Sequence, residues 1–375
     1  MQAVVVQDKG KVAVKQIDIP QPRQGEILVK NHAVALNPTD WKVRRLGEHS
    51  IEGDSLTISF GLPPLRTHLT SISQHRDFVS PPNAILGCDF AGVVEKLGDD
   101  VSNVKVGDRV AGFVHGGRYE EEGSFAEYVR AQAVLVWKVP ENVSFEEAAA
   151  SGGVAPLTAV QNLFMRLKLN EPSNPVKEPK PVLVWGGSTS VGLYAVQLLK
   201  LSGYTVLATA SEKNWALLKS FGVDSTYDYS DSSVHEKIAK DHPTLAHALD
   251  CISENGTTVS IAKSFSSGKG HIVTLLPPKD EELKKFENVR VTPCLAYTLL
   301  GRPFNMMGTD FPAMPDDKAA AADWQKDQMP ELMGSGKLKS NPILSRDGGI
   351  NAINDGLDFV KAGKNRAQKL TYKLA

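Results

Sequence analysis

The first third of the chain reads as short β-branched runs broken by Gly and Pro. Ala3–Val6, Lys11–Gln16 and Ile27–Ala35 are the first of these, and Gly87–Leu97 and Val106–Ala111 continue them, with turns at Gly98–Asp100 and Gly107–Asp108. Many punctuated strands predict a β-rich domain of barrel or sandwich type. From about Pro181 the period changes. Val182–Trp185 is a short apolar strand, after which Val191, Tyr194, Ala195 and Leu198 recur at helical spacing. Next come strand Thr205–Thr209, a helix over Asn214–Phe221 stopped by Gly222, an edge at Thr226–Tyr227 and a helix over Val234–Asp241. Strand Ala246–Cys251, a helix near Thr257–Phe265 and strand His271–Leu276 close the series. This alternation predicts an α/β fold with a doubly wound parallel sheet and covering helices. Glu171–Lys180, rich in Pro and Lys, reads as a surface loop, and the tail after Lys337 returns to mixed strand and helix.

Between Leu46 and Ala84 the residues are rich in Ser, Thr, Pro and Leu and show no period. Segments this long without structure are uncommon inside a domain and are usually functional or disordered. The apolar content (Leu56, Ile58, Phe60, Leu62, Leu65, Leu69) predicts an ordered flap.

Composition narrows the class. With 375 residues the chain is long enough for two domains, each with its own core. A formal net charge of −1 gives no global positive field for nucleic acid or an anionic membrane. Three scattered cysteines, Cys88, Cys251 and Cys294, form no C-x-x-C pair and fit a reducing compartment. The N-terminal run is interrupted by Asp8 and Lys9, unlike a secretory signal, and no stretch approaches the roughly 18 apolar residues of a membrane helix. A cytoplasmic location is expected.

The run Val182-Leu-Val-Trp-Gly-Gly-Ser-Thr-Ser-Val-Gly192 is a strand, a turn of small residues and a helix start. Such a turn lets backbone N–H groups approach a pyrophosphate, whose charge the helix N-terminus favours. Thr189 stands where the common fingerprint has its central glycine. A glycine turn before a helix is also an ordinary structural device, but here it opens a strand–helix–strand series, the context dinucleotide binding requires. Gly187, Ser188, Thr189, Ser190 and Val191 are the expected contacts. At the end of the next strand, Ala210 replaces the acidic residue that usually holds a ribose hydroxyl of NAD. Ser211, Lys213 and Asn214 offer donors and a positive charge suited to a 2′-phosphate, so NADPH is the expected cofactor; Glu212 is the contrary signal.

Asn37-Pro-Thr-Asp40, Leu86–Val94, Val106-Gly-Asp-Arg-Val110, Gly123-Ser-Phe-Ala-Glu-Tyr128, Ala148–Ala150 leading to Thr158-Ala159, and the Gly186–Gly192 turn occur together in register. With these pieces the chain resembles the medium-chain dehydrogenase/reductase superfamily along nearly its whole length. Asn37-Pro-Thr-Asp-Trp-Lys42, Trp185–Thr189 and Tyr227-Asp-Tyr229 make it most similar to fungal trans-acting enoyl reductases of polyketide pathways, within the quinone oxidoreductase and enoyl reductase branch. The resemblance implies a GroES-like catalytic domain over 1–160, completed by 338–375, and a Rossmann domain over 161–337. It also places Tyr229 near the adenosine phosphate, Thr158 near the nicotinamide, Leu275 and Leu276 beside the nicotinamide ribose, and Lys369 at the cofactor phosphates. Asn37 is grouped with these cofactor contacts.

Zinc alcohol dehydrogenases of the superfamily need a Cys, a His and a further soft ligand around a water or alkoxide. Here Asn37 stands where the first Cys would be, Cys88-Asp89 replaces His-Glu, and three cysteines cannot build a four-cysteine structural lobe. No metal is expected, and Cys88 reads as a small buried residue. Without that electrophile, reduction of a conjugated C=C is the favoured chemistry: hydride to the β-carbon, donors for the developing oxyanion, a proton to the α-carbon. Lys42, with Thr39 and Asp40 beside it, is the catalytic expectation; a solvated helix charge at Lys42 and a capping role for Asp40 are the plain alternatives. His115 and Tyr119, in the Gly-rich loop Val114–Tyr119, either border the cleft or, as the plainer reading, are surface-loop residues. The favoured function is an NADPH-dependent reductase of an enoyl thioester or enone, serving a synthase-carried acyl chain. An aldehyde or quinone reductase and a cofactor-binding protein with little catalysis are the rivals.

Overall fold

The chain opens on an antiparallel pair, β1 (Gln2–Val6) and β2 (Val12–Gln16), then β3 (Glu26–Ala35), α1 (Pro38–Arg45), β4 (Asp89–Leu97), β5 (Arg109–Phe113), β6 (Tyr128–Gln132), β7 (Trp137–Lys138) and α2 (Phe145–Ala150). The computed structural model describes residues 1–7, 11–45, 80–306 and 309–374. The flap expected over Leu46–Ala84 therefore lies outside the described residues except for 80–84. The ten residues of β3 serve three partners: Glu26–Lys30 pair with β6, Ala33–Ala35 with a strand from the far end of the chain, and β4 runs along the other side. Two register shifts, at Leu28/Val29 and Asn31/Ala33, bend the strand, as bulges do in sheets that curl. Gly92 lets the strands close there, since a Cβ would lie 2.0 Å from the Lys30 carbonyl oxygen. Val29, Val34, Phe90, Val94, Val110 and Phe125 fill the interior.

The middle of the chain alternates as the periodicity predicts. It runs α3 (Val154–Val160), β8 (Pro181–Trp185), α4 (Ser190–Leu201), β9 (Thr205–Thr209), α5 (Trp215–Ser220), β10 (Ser225–Tyr227), α6 (Val234–Asp241), β11 (His247–Asp250), α7 (Thr257–Lys263), β12 (Gly270–Thr274) and β13 (Val289–Pro293). All six strands are parallel, in the order β10-β9-β8-β11-β12-β13. β8 is thus the point from which the sheet is wound both ways. The series does not close at His271–Leu276. β13 adds one more strand, reached through a short turn at Glu281–Lys285 instead of a long amphipathic helix; its residues are only half-buried or exposed, so its apolar signal is weak.

The chain then forms β14 (Phe304–Met306), β15 (Thr309–Phe311), α8 (Pro315–Asp323), α9 (Met329–Gly334), β16 (Ile343–Arg346), α10 (Ile353–Lys361) and β17 (Lys369–Lys373). β17 is the distant partner of β3, and with β16 it completes a seven-stranded sheet. The described residues form two compact units: those up to Val154 together with those from Tyr297 onward, and Ala155–Ala296. The return to the first unit comes at Tyr297, well before the 338 expected. Residues 297–337 are tied there by hydrogen bonds, Gln132 Nε2 to the Leu300 carbonyl and Gln325 Nε2 to the carbonyls of Leu135 and Gly152. Among the described residues no helix is long and apolar enough to cross a membrane, and the three buried cysteines form no disulfide.

Candidate active site

In the first unit, strand register gathers a polar cluster at one sheet end. Ala35 pairs with both Asp89 and Thr371. Asn37, two residues past Ala35, and Lys369, two before Thr371, therefore fall beside Asp89. The Asn37 Nδ2 group donates to Asp89 Oδ2 (2.9 Å), and the Val154 N–H donates to Oδ1 (2.9 Å). Lys369 Nζ donates to Asn37 Oδ1 and lies 3.1 Å from Asp89 Oδ2. Asp89 and Lys369 are 0% and 2% exposed, and a buried carboxylate stripped of its countercharge costs several kcal/mol, on the order of 3–5. Both Lys369 and Asn37 are thus paired with Asp89 in the interior of the first unit.

Asn37 also begins α1. Its backbone N–H donates to Asp40 Oδ2 (2.7 Å), the return half of a capping arrangement, so the capping role for Asp40 is present. Asp40 is nonetheless fully buried; desolvation pushes its carboxyl up to about 7, with the Asn37 N–H and the Cys88 thiol opposing and Asp89 adding to the rise. Thr39 Oγ1 lies 2.7 Å from Tyr297 Oη, and Tyr297 Oη lies 3.5 Å from Cys88 Sγ. Burial pushes both the Cys88 thiol and the Tyr297 phenol far up, so both are neutral. His115 is not a surface residue: it is 5% exposed, stacks on Tyr297 at 3.8 Å between centroids, and burial lowers its pKa to about 3. Tyr119 is half-buried under the Arg302 guanidinium, 4.3 Å from its ring. Lys42 is exposed, with its ammonium 5.8 Å from the Trp41 ring.

In the second unit the expected cofactor residues collect on the carboxyl ends of parallel strands. After β8, Gly186 takes φ +79°, and its N–H and that of Gly187 donate to Thr209 Oγ1 and the Thr209 carbonyl (both 2.9 Å), locking the turn to β9. A Cβ on Gly187 would lie 2.7 Å from Ala208 Cβ, and one on Gly192 2.4 Å from the Gly186 carbonyl oxygen. Thr189 caps α4 by accepting from the Gly192 N–H (3.0 Å), which is what the residue in place of the central glycine does here. Ser188, Ser190 and Val191 are half-buried around this cap. At the end of β9, Asn214 Nδ2 donates to Ser188 Oγ (3.2 Å), and Ser211 Oγ lies 3.2 Å from Tyr229 Oη, which follows β10. Glu212, Lys213 and Tyr229 are exposed. Leu275 follows β12 and donates its N–H to Ser253 Oγ (2.9 Å), with Leu276 next. Thr158 sits apart in α3, 7% exposed, its carbonyl accepting from Asn162 Nδ2 (2.6 Å).

Tyr297 is the residue sequence reasoning missed, together with the contacts that join it to Thr39, Cys88 and His115. Tyr297 meets Thr39 across 258 residues and Cys88 across 209, so no local pattern could join them. His115 carried one usable signal, its place two residues past the apolar strand Arg109–Phe113.

The model for the alcohol dehydrogenase GroES-like domain matches residues 23–141. The trans-enoyl reductase ACTTS2 of Alternaria alternata is 37% identical over 99% of this chain and 98% of its own length. The solved CurK enoyl reductase superposes with a TM-score of 0.73 at 19% identity, covering 100% of this chain and 99% of that one. A mycobacterial protein solved in complex with NADPH superposes with a TM-score of 0.70 at 21% identity over 100% of both. On its fold, its GroES-like match and its full-length relatives, this chain belongs to the trans-enoyl reductases of the medium-chain dehydrogenase/reductase superfamily.

Proposed function

We propose that the chain is a zinc-independent, NADPH-dependent enoyl reductase of the cytoplasm that reduces the C=C of an enoyl thioester or enone, acting in trans on an acyl chain carried by a polyketide synthase. The Asn37–Asp89–Lys369 cluster carries the reading. By the resemblance, Asn37 and Asp89 stand at positions where zinc alcohol dehydrogenases place metal ligands, and the donor set here does not fit zinc. The amide of Asn37 donates its N–H to Asp89 and its oxygen accepts from the Lys369 ammonium, and a buried ammonium there repels a divalent cation. A carbonyl therefore meets no Lewis acid, and the alkene conjugated to it is the easier acceptor of hydride.

The turn after β8 fits a dinucleotide, because the small residues Gly187, Ser188 and Thr189 leave backbone at the head of α4 and side chains are excluded from Gly187 and Gly192. Bound there, NADPH supplies the hydride. Ser211, Lys213, Asn214 and Tyr229 form the phosphate-recognising edge, supported by their common place at the ends of β9 and β10 and by Ala210 in the acidic position. Thr158, Leu275 and Leu276 are assigned to the nicotinamide end on resemblance alone. Thr39, half-buried, supplies the proton to the α-carbon, and the exposed Lys42 ammonium meets the charge developing on the carbonyl oxygen.

Purified protein with NADPH is offered a crotonyl thioester, a simple enone, a quinone and an aldehyde, and cofactor oxidation is followed. Turnover led by the thioester or enone is expected. Turnover led by the aldehyde or quinone would replace this reading with a detoxifying one, and tight NADPH binding with no turnover would make the protein a cofactor-binding one.

A further inference from the structure

Four side chains of the first unit stand in sequence from a fully buried acid to a half-exposed hydroxyl. Asp40 Oδ2 is taken by the Asn37 N–H, while Oδ1 is buried with no hydrogen-bond partner, and the Cys88 thiol is the neutral polar group beside the carboxyl. Cys88 Sγ stands 3.5 Å from Tyr297 Oη, which stands 2.7 Å from Thr39 Oγ1. Thiol and phenol each have one proton to give and lone pairs to receive another. Only Thr39, at the outer end, reaches solvent.

We propose that Tyr297 and Cys88 are positioning residues that conduct the proton of Asp40 to Thr39, which delivers it to the α-carbon of the substrate. The inference rests on the enoyl-reduction reading above. As hydride from NADPH forms the new C–H bond at the β-carbon, the π pair moves toward the α-carbon. That carbon takes the Thr39 O–H proton; Thr39 oxygen takes the Tyr297 proton, Tyr297 oxygen the Cys88 proton, and Cys88 sulfur the Asp40 proton. Asp40 is left as carboxylate, and one proton from water, entering at Thr39 after product leaves, restores it. One hydride and one proton are consumed per double bond.

The surroundings suit an acid that gives and regains a proton near neutrality. Desolvation holds the Asp40 carboxyl up at about 7; Asp89 raises it further, and Lys369 and Cys88 lower it. Tyr297 is neutral, and so is His115, stacked on its ring with Arg302 and Arg118 beyond. The helix α10 packs on α1 with Ile353, Leu357 and Val360 buried, and its charged Asp355, Asp358 and Lys361 are exposed.

The test is the pH profile of kcat with NADPH and the crotonyl thioester for the wild type, Asp40→Asn, Tyr297→Phe and the double variant. Asn keeps an acceptor for the Asn37 N–H, and Phe keeps the stack on His115. Each single variant is expected to lose about 100-fold in kcat with KM unchanged, and to lose the decline that the wild type shows above about pH 7. The double variant should be no slower than either single, because residues acting as one unit are not additive. Should a variant unfold, Cys88→Ser and Cys88→Ala decide: the hydroxyl retains the wild-type profile and the methyl abolishes it. A wild-type profile in Tyr297→Phe or Cys88→Ala, or multiplicative losses in the double variant, overturns the relay while leaving enoyl reduction standing. A wild type that reduces no activated alkene removes both.

Discussion

At the scale of single residues, the cofactor preference turns on a few side chains after β9. Ala210 is buried and offers no acid to a ribose hydroxyl, Glu212 is exposed, and Lys213 stands exposed beside the Ser211–Tyr229 pair. Replacing Lys213 with Ala should weaken NADPH binding by roughly 1–3 kcal/mol, the cost of one charge-assisted contact, and leave NADH binding nearly unchanged. Fluorescence titration of both cofactors checks this, and an equal loss for both would mean that the phosphate is held elsewhere. These residues were legible because strand, turn and helix follow one another locally. Lys369 was visible only as a basic residue near the end of the chain. Its real partners lie 332 and 280 residues away, and no local pattern distinguishes a lysine that neutralises a buried carboxylate from one that greets a phosphate.

At the scale of elements, what was periodic was readable. The helix expected at Val234–Asp241 and the strand at Thr205–Thr209 form over those residues. What lacked period was not: β13 has no long helix before it, and β17 owes its place to pairing with a strand at the other end of the sequence. The β8–turn–α4 element shows how tightly such a unit can be drawn. Helix and turn touch through Gly192, where an added methyl would sit 2.4 Å from one carbonyl oxygen and 2.7 Å from the next. Neither oxygen can yield without moving the turn. Gly192→Ala is therefore expected to cost about 1–3 kcal/mol in stability, as overpacking does, and to weaken NADPH binding more than tenfold. Chemical denaturation and cofactor titration measure the two effects, and unchanged affinity would show that the turn does not hold the pyrophosphate.

At the scale of the whole molecule, among the described residues one unit is a contiguous stretch and the other is assembled from both ends of the sequence. Ending the chain at Pro342 would remove β16, α10 and β17, leave Ala33–Ala35 of β3 without their partner and strand Asp89 with no countercharge. Hydrogen exchange should then show protection lost across β3–β5 but retained in β8–β13. Retained protection in both would mean that β17 is dispensable to the sheet. The same arrangement bears on how the protein comes into being. During synthesis the parallel sheet has all its strands once Pro293 has emerged, while Asn37 must wait for Lys369, 332 residues later. At roughly 5–20 residues per second, that wait is on the order of tens of seconds. Of the two units, the one whose strands emerge earlier is thus finished later, and it spends the interval with an open strand edge and an unneutralised carboxylate, the state in which a nascent chain most depends on chaperones.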